Sequence, residues 1–197
     1  MKNFLFLPII ALILFSCNSE DVTLGDRYFD QGDFQQAIEA YNEYLKLQPT
    51  HVKSIYNRGR AKEELGNFEQ ALIDFQQVLK IDGKNVNAFL SIGNYHYRKD
   101  NFDVAAYNFE QAVENNDSNA DAHFLWGKAL HKLGRFPEAM EQLNLALSLD
   151  QELGEAYLSR GVLFLANGRT RRACSDFMKA KALDVRDASG AVDSYCR

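Results

Sequence analysis

The pattern of apolar and polar positions predicts that this chain is built from pairs of short helices. Between Ile55 and Asp82, apolar residues recur at helical spacing in two segments, and Gly66 and Asn67 interrupt the pattern between them. The second segment has the wider apolar face, made by Phe68, Ala71, Leu72, Phe75, Val78, Leu79 and Ile81. A single hairpin cannot bury such a face, so we expect other hairpins to pack against it.

The same pattern returns along the chain with a constant period of 34 residues. Small residues mark the period at Gly25, Gly59, Gly93, Gly127 and Gly161, and again at Ala37, Ala71, Ala105, Ala139 and Ala173. Bulky residues mark it at Tyr41, Phe75, Phe109, Leu143 and Phe177, and turn phenylalanines at Phe34, Phe68, Phe102 and Phe136. We interpret the small residues as points where the two helices of a hairpin approach closely, and the bulky ones as fillers of the gap between hairpins.

A 34-residue period with these positions resembles the tetratricopeptide repeat (TPR). The resemblance covers residues 18 to 187 and implies an all-α fold, a right-handed superhelical solenoid of about five helix hairpins. The predicted repeats are 18–51, 52–85, 86–119, 120–153 and 154–187. Because a solenoid lengthens by adding repeats, we expect one domain. Repeat three departs from the pattern at Asp100, a turn position that is Gly in other repeats, although Asp also tolerates such turns.

The first sixteen residues are predicted to be a signal peptide and not part of the fold. Lys2 precedes an apolar run from Phe4 to Phe15, interrupted only by Pro8, that is too short to span a bilayer. The run ends in Leu14-Phe15-Ser16-Cys17, which resembles the lipobox of bacterial lipoproteins and implies lipidation of Cys17. The alternative is an ordinary secretory signal with an incidental cysteine. Residues 17–20 would form the lipidated N-terminus and tether.

Residues 18–21 allow two interpretations. The acidic pair Glu20-Asp21 after the anchor resembles a surface-export signal of some diderm lipoproteins. Alternatively, Ser19 caps the first helix and the acidic residues favour its N-terminal end. Residue 18 is Asn, so the inner-membrane retention signal that the resemblance associates with Asp at this place is missing. The resemblance therefore implies the outer membrane of a diderm bacterium, with the protein facing the periplasm or the cell surface.

The end of the chain predicts a capping helix at residues 188–197. Ala188, Ala191, Val192 and Tyr195 follow the spacing of one helix face, and a solenoid needs a cover for its last repeat. Cys174 lies in repeat five at the position of Leu72 and Met140, which should face the next element. Export favours oxidation, and similar TPR lipoproteins end with a comparable cysteine arrangement, so we expect a Cys174–Cys196 disulfide. The alternative is two separate thiols.

Composition, charge and the lack of catalytic motifs argue against several classes of function. The net charge of −5, which becomes −6 when the positive charge of Lys2 is removed with the signal peptide, argues against nonspecific nucleic-acid binding. None of the four histidines has metal-ligand spacing, and no nucleotide-binding or nucleophile-elbow pattern is present. We therefore expect no enzyme activity and no cofactor. His96, where the family usually has Tyr, and Trp126 are interpreted as packing residues.

The resemblance implies a binding groove lined by the first helix of each hairpin. Its expected lining residues are Tyr56, Asn57, Arg60, Glu63, Glu64, Leu90, Ser91, Asn94, Tyr97, Arg98, Phe124, Leu125, Lys128, His131 and Lys132. Arg60, Arg98, Lys128 and Lys132 are the less generic members and would form a positive strip. The strip suits an envelope protein or peptide with an acidic or aromatic segment, or a carboxylate terminus.

Two classes of function follow from this groove. The first is a lipid-anchored scaffold that recruits envelope proteins. The alternative is an accessory protein that binds glycan or peptidoglycan, with Tyr56, Tyr97 and Phe124 as stacking platforms. No three consecutive repeats supply the carboxylate-clamp residues of chaperone-binding TPR proteins, which excludes chaperone docking of that kind. The basic turn formed by Arg169, Arg171 and Arg172 is either a solvated turn or a second functional feature.

Overall fold

A computed structural model describes residues 23–196, and these residues form helices joined by short turns. The first two hairpins are α1 (Leu24–Asp30) with α2 (Phe34–Leu47) and α3 (Val52–Glu64) with α4 (Phe68–Ile81). The next two are α5 (Val86–Arg98) with α6 (Phe102–Asn115) and α7 (Ala120–Lys132) with α8 (Phe136–Leu149). The last is α9 (Gly154–Ala166) with α10 (Thr170–Ala182), followed by α11 (Ala188–Tyr195). Five hairpins and a short terminal helix confirm the predicted solenoid.

Side-chain caps and left-handed turns set the helix boundaries. The side chains of His51, Asn85 and Asn119 accept hydrogen bonds from backbone amides at the starts of α3, α5 and α7. Each second helix follows a residue with positive φ, which is Gly in four hairpins and Asp100 (φ 58°) in the third. Asp100 therefore makes the turn that its position requires.

The first helix is capped by Thr23 and not by Ser19. The Thr23 hydroxyl accepts a hydrogen bond from the Asp26 amide, and the Asp26 carboxylate accepts one from the Thr23 amide. This reciprocal pair satisfies two amides at the start of α1. The predicted signal peptide, Cys17 and the tether lie outside the described residues, so their predicted roles stay predictions.

Close helix contacts explain the repeated glycines. A Cβ atom built on Gly25, Gly93 or Gly161 would lie 2.5 Å from the ring of the bulky residue sixteen positions later. The repeated alanines and these rings are buried and form the core that runs along the solenoid. Trp126 packs, partly buried, against three neighbouring groups of core residues, which fits its predicted packing role.

Ion pairs inside two hairpins also reach the preceding repeat. The Arg58 guanidinium donates to the buried Asp74 carboxylate at 2.6 Å and to the Asn42 amide oxygen at 2.9 Å. Three periods later, Arg160 repeats both contacts, donating to Asp176 and to Asn144 at 2.9 Å each. Each arginine thus joins a hairpin to the second helix of the hairpin before it.

The terminal helix covers the last hairpin. Ala188 is fully buried against it, and a disulfide joins Cys174 of α10 to Cys196, with their Cα atoms 5.4 Å apart. The structure therefore contains the predicted disulfide. Tyr195 is half exposed and contributes only a tilted contact with Phe177, so the disulfide and Ala188 make the main attachment.

Candidate functional site

The main candidate site is a groove on the concave side of repeats two to four, with a volume of about 660 Å³. First helices α3, α5 and α7 supply most of its lining. Of the predicted residues, Tyr56, Arg60, Glu63, Glu64, Leu90, Ser91, Asn94, Tyr97, Arg98, Phe124 and Leu125 line it. We call this set, with the three residues described next, the central groove.

Phe68, Asn87 and Asp121 also line the central groove and were not predicted. Asn87 and Asp121 lie four residues before Ser91 and Leu125, so they continue the same helix faces by one turn. That spacing was a usable signal in the sequence. Phe68 is a repeated turn phenylalanine, which the sequence indicated only as a packing residue.

The charges of the central groove are mixed. The Glu63 carboxylate lies between two cations, 3.0 Å from the Arg98 guanidinium and 3.5 Å from that of Arg60. Arg60 also lies 3.7 Å from Glu64, and Arg98 stacks 4.2 Å from the centre of the Phe68 ring. The expected positive strip is therefore compensated by carboxylates on the side of repeat two. The position of Glu63 between Arg60 and Arg98 was not evident from the sequence.

Lys128 and Lys132 lie on the other side, at the margin of the central groove. The Lys128 ammonium is 5.4 Å from the Tyr97 ring centre and 5.1 Å from that of Phe124. The Lys132 ammonium lies over Phe102 at 5.9 Å. These contacts hold two cations beside aromatic rings. Even with the Asp121 carboxylate on the same helix, the C-terminal margin is therefore the more positive part of the site.

His131 packs beside this margin. Its ring lies 5.7 Å from that of Phe136, and burial, together with the charge of Lys132, lowers its pKa. His96 also packs among neighbours, in edge contact with Tyr95, and burial lowers its pKa as well. Its Nδ1 is buried and has no hydrogen-bond partner among the described residues. The neutral ring is thus the favoured form of both histidines.

Asn57 lies apart from the central groove, in a smaller hollow of about 190 Å³ beside repeat one. Its amide donates to the Asp26 carboxylate at 2.8 Å, and the Tyr41 hydroxyl donates to the same oxygen at 2.7 Å. Burial by itself would raise the pKa of Asp26, but these hydrogen bonds and that from the Thr23 amide lower it overall. Asn57 therefore connects repeats one and two, a role that its position in the repeat did not indicate.

The basic turn is exposed at the start of α10. It surrounds an open hollow of about 400 Å³, lined by Gly168, Arg169, Thr170, Arg171 and Arg172. The Arg172 guanidinium lies 5.8 Å from the Phe164 ring centre.

Within residues 23–196, no group of three or more His, Cys, Asp or Glu side chains is placed to bind a metal ion. In the same residues, no helix is long and apolar enough to cross a membrane.

Comparison with known families agrees with this architecture. Two family profiles, both described as tetratricopeptide repeat, match residues 24–90 and 90–153. Together they span about two-thirds of the chain and cover the first four hairpins of the structure. The chain therefore belongs to the tetratricopeptide-repeat family. No curated protein sequence matches it.

Solved structures with the same fold include MamA and YrrB. A crystal structure of MamA has a TM-score of 0.73 and 25% identity, covering 84% of this chain and 97% of that one. MamA from Desulfovibrio magneticus RS-1 has a TM-score of 0.73 and 21% identity, covering 81% and 90%. YrrB, described as a TPR protein with an unusual peptide-binding site, has a TM-score of 0.71 and 20% identity, covering 86% and 88%.

Proposed function

We propose that this protein is a lipid-anchored scaffold of the bacterial cell envelope that binds an extended segment of a partner protein in the central groove. The observation that carries the proposal is the groove itself, an open concave surface shared by three consecutive first helices. Neighbouring helices pack about 10 Å apart, so three of them span about 20 Å, enough for roughly six residues of extended peptide. The peptide-binding site named for YrrB supports the same class of ligand.

The side chains of the groove fit a peptide better than a glycan. Asn94 on α5 is partly exposed in the groove and offers an amide group that pairs with peptide backbone. Phe124, by contrast, is only 7% exposed, and the Lys128 ammonium lies over its ring. A sugar needs an open aromatic face for stacking, and this ring does not present one. The geometry therefore favours the scaffold over the glycan-binding alternative.

Charge indicates where an acidic side chain of the peptide would bind. At Arg98, an acidic side chain of the peptide would compete with Glu63 for the guanidinium. At Lys128 it would meet an ammonium whose described contacts are with the rings of Tyr97 and Phe124. We infer that acidic residues of the partner lie toward repeat four and that aromatic residues lie toward Tyr56 and Phe68. The bound segment would then run in a defined direction along the groove.

The groove is tested by identifying the segment it holds. A photo-crosslinking amino acid at Asn94 should join to a defined peptide of one envelope protein, which mass spectrometry identifies. The same group at Ile73, which is 63% exposed on a second helix, is the control and should not mark that peptide. Crosslinks of equal intensity at both positions would contradict groove binding.

Charge reversal then measures the contribution of the cations. Arg98→Glu with Lys128→Glu should weaken binding of the synthetic segment at least tenfold, because charge-assisted hydrogen bonds contribute about 1.5–3 kcal/mol each. Fluorescence anisotropy gives the dissociation constant, and circular dichroism checks that the variant is folded. The matched control is Lys80→Glu with Lys84→Glu, two exposed lysines outside the groove. Unchanged affinity in a folded double variant would place the site elsewhere.

The anchor is tested separately at Cys17. Cells supplied with a labelled fatty acid should incorporate the label into the wild-type protein and not into Cys17→Ala, and only the wild type should sediment with membranes. Two or more acyl chains give stable retention because each buried CH₂ group contributes about 0.8 kcal/mol. Cys174→Ser, which keeps Cys17, is the control and should be labelled normally. Full labelling of Cys17→Ala would refute lipidation at this residue.

A further inference from the structure

The two ends of the solenoid differ in what they leave exposed. At the C-terminal end, α11 covers the last hairpin and presents polar residues outward, among them Ser189, Asp193 and Ser194. At the other end, no helix among residues 23–196 packs on the outer side of α1 and α2. We call this outer side the N-terminal edge and define it by Leu24, Tyr28, Tyr44 and Leu47.

The N-terminal edge exposes large apolar side chains beside polar ones. Leu24 is 50% exposed and Leu47 is 82% exposed. Together with the half-buried rings of Tyr28 and Tyr44, they border a shallow hollow of about 920 Å³. One period later, the position of Leu24 is occupied by Arg58, which contacts Asn42 of the preceding hairpin. The edge is therefore the face that a preceding repeat would cover.

The length of chain before this edge limits what can cover it. Only the five residues from Asn18 to Val22 separate Cys17 from Thr23, the cap of α1. At about 3.3–3.6 Å per residue, a fully extended chain over this distance reaches only about 20 Å. If Cys17 carries lipid, Leu24 and Leu47 stay close to the bilayer surface and the other repeats follow farther away.

We propose that the N-terminal edge docks on the surface of the bilayer that holds the Cys17 lipid. The inference rests on the lipid anchor of the proposed function. Tyrosine rings favour the interface between water and lipid, and leucine side chains favour the acyl region just below it. Glu39 and Glu43 border the same hollow, and Glu43 pairs with Lys46 at 2.6 Å. Docking therefore relies on apolar contact with zwitterionic lipid and not on attraction to anionic headgroups.

Docking would orient the whole array. Repeat one would lie on the membrane, and the central groove of repeats two to four would stand beyond it, open to partners in the aqueous compartment. The groove would then be held at a fixed distance from the bilayer and in a fixed orientation. A flexible tether alone would fix neither. This is a positional function of repeat one that the groove residues do not share.

A chemical anchor tests docking without relying on the cell. The chain from Cys17 to Arg197 contains all the described helices, and the Cys174–Cys196 disulfide leaves Cys17 as its one free thiol. That thiol is coupled to a maleimide phosphatidylethanolamine in phosphatidylcholine vesicles. Amide hydrogen exchange in the first turn of α1 and the last turn of α2 should slow about fivefold relative to the protein in solution, with no change in α11.

Substitutions separate docking from tethering. Leu24→Asp with Leu47→Asp should abolish the slowing, and Leu47→Asp alone should reduce it if the double variant is unstable. The matched control, Ile73→Asp with Met178→Asp, changes two residues that are 63% and 55% exposed elsewhere and should keep it. Slowing that survives both edge variants would overturn the proposal. Slower amide exchange in α11 would also overturn it. The same holds if exchange at the edge is slow without vesicles because the protein forms a dimer.

These outcomes are distinct from those of the anchor test. If Cys17 is not acylated in cells, fatty-acid labelling fails while the coupled protein still reports whether the edge contacts lipid. If the edge does not dock, the coupled protein shows unchanged exchange while labelling of Cys17 is unaffected. Vesicles containing phosphatidylglycerol should give no stronger protection than phosphatidylcholine alone, and a clear increase would contradict apolar docking.

Discussion

At the scale of single residues, the contact between each repeated glycine and the bulky residue sixteen positions later determines how closely the helices of a hairpin pack. The closest contacts involve aromatic rings, at Tyr41, Phe109 and Phe177. In repeat four the partner is Leu143, and a Cβ on Gly127 would lie 3.0 Å from it. The distance between the two helices of a hairpin is therefore set by a pair of residues, the glycine and its bulky partner, and not by one residue.

Gly93→Ala should destabilise the protein by about 1–3 kcal/mol, because the new methyl group overlaps the Phe109 ring in a packed core. Thermal unfolding followed by circular dichroism measures the change. Gly190→Ala is the control: no atom lies within 4 Å of its new Cβ, and alanine favours helix, so stability should be unchanged or slightly higher. Equal melting temperatures for wild type and Gly93→Ala would show that the ring moves without cost.

Residue positions were predicted well where packing repeats and poorly where it does not. The period indicated the glycines, the alanines and most of the groove lining, because each recurs in the same environment. Thr23, Asp26 and Asn57 belong to a network present only at the first repeat, so no other copy revealed it. Glu63 was named as a groove residue, but its place between two arginines depends on side-chain geometry across repeats.

At the scale of secondary-structure elements, α11 is held to the last hairpin by a disulfide as well as by packing. The helix has eight residues, and isolated helices shorter than about twelve residues are marginal in water. Its buried contact is largely Ala188, which offers little apolar area. The disulfide to α10 therefore contributes a large share of what keeps this helix in place.

Reduction of the disulfide, or Cys174→Ser with Cys196→Ser, should destabilise the closed segment by about 3 kcal/mol, because the bond removes entropy from the unfolded chain. Hydrogen exchange should rise first in α11 and α10 and remain unchanged in α3 to α6. The double serine variant is also the control for the reductant. Because it has no disulfide, adding reductant should not change its exchange rates. Exchange in α11 that is identical with and without the bond would contradict this role.

Helix boundaries followed from the sequence for most of the chain, since apolar periodicity and turn glycines mark them. The N-terminal boundary was the exception. Ser19 and Thr23 both offer a hydroxyl suited to a cap, and only the reciprocal contact of Thr23 with Asp26 distinguishes them. Tyr195 likewise fits the predicted face of α11 yet stays half exposed, with a tilted contact to Phe177.

At the scale of the whole molecule, the middle and the two ends of the solenoid present different surfaces. Repeats two to four supply the central groove, repeat one exposes an apolar edge, and repeat five is closed by α11. The shared pattern of glycines, alanines and bulky residues maintains the stack in all of these parts. The sequence indicated the stack and the groove directly, but the contrast between the two ends appears only when exposure is known.

The arginine contacts between hairpins have a consequence for how such a chain changes length. Asn42 meets Arg58 at the junction of repeats one and two, and Asn144 meets Arg160 in the same geometry at the junction of repeats four and five. A genetic crossover that joined repeat one directly to repeat five would place Asn42 opposite Arg160 and rebuild an equivalent junction. The reverse event would duplicate the middle repeats between two intact ends. Recombination of this kind would therefore remove or duplicate the three groove repeats as a unit, while both ends of the protein are inherited unchanged.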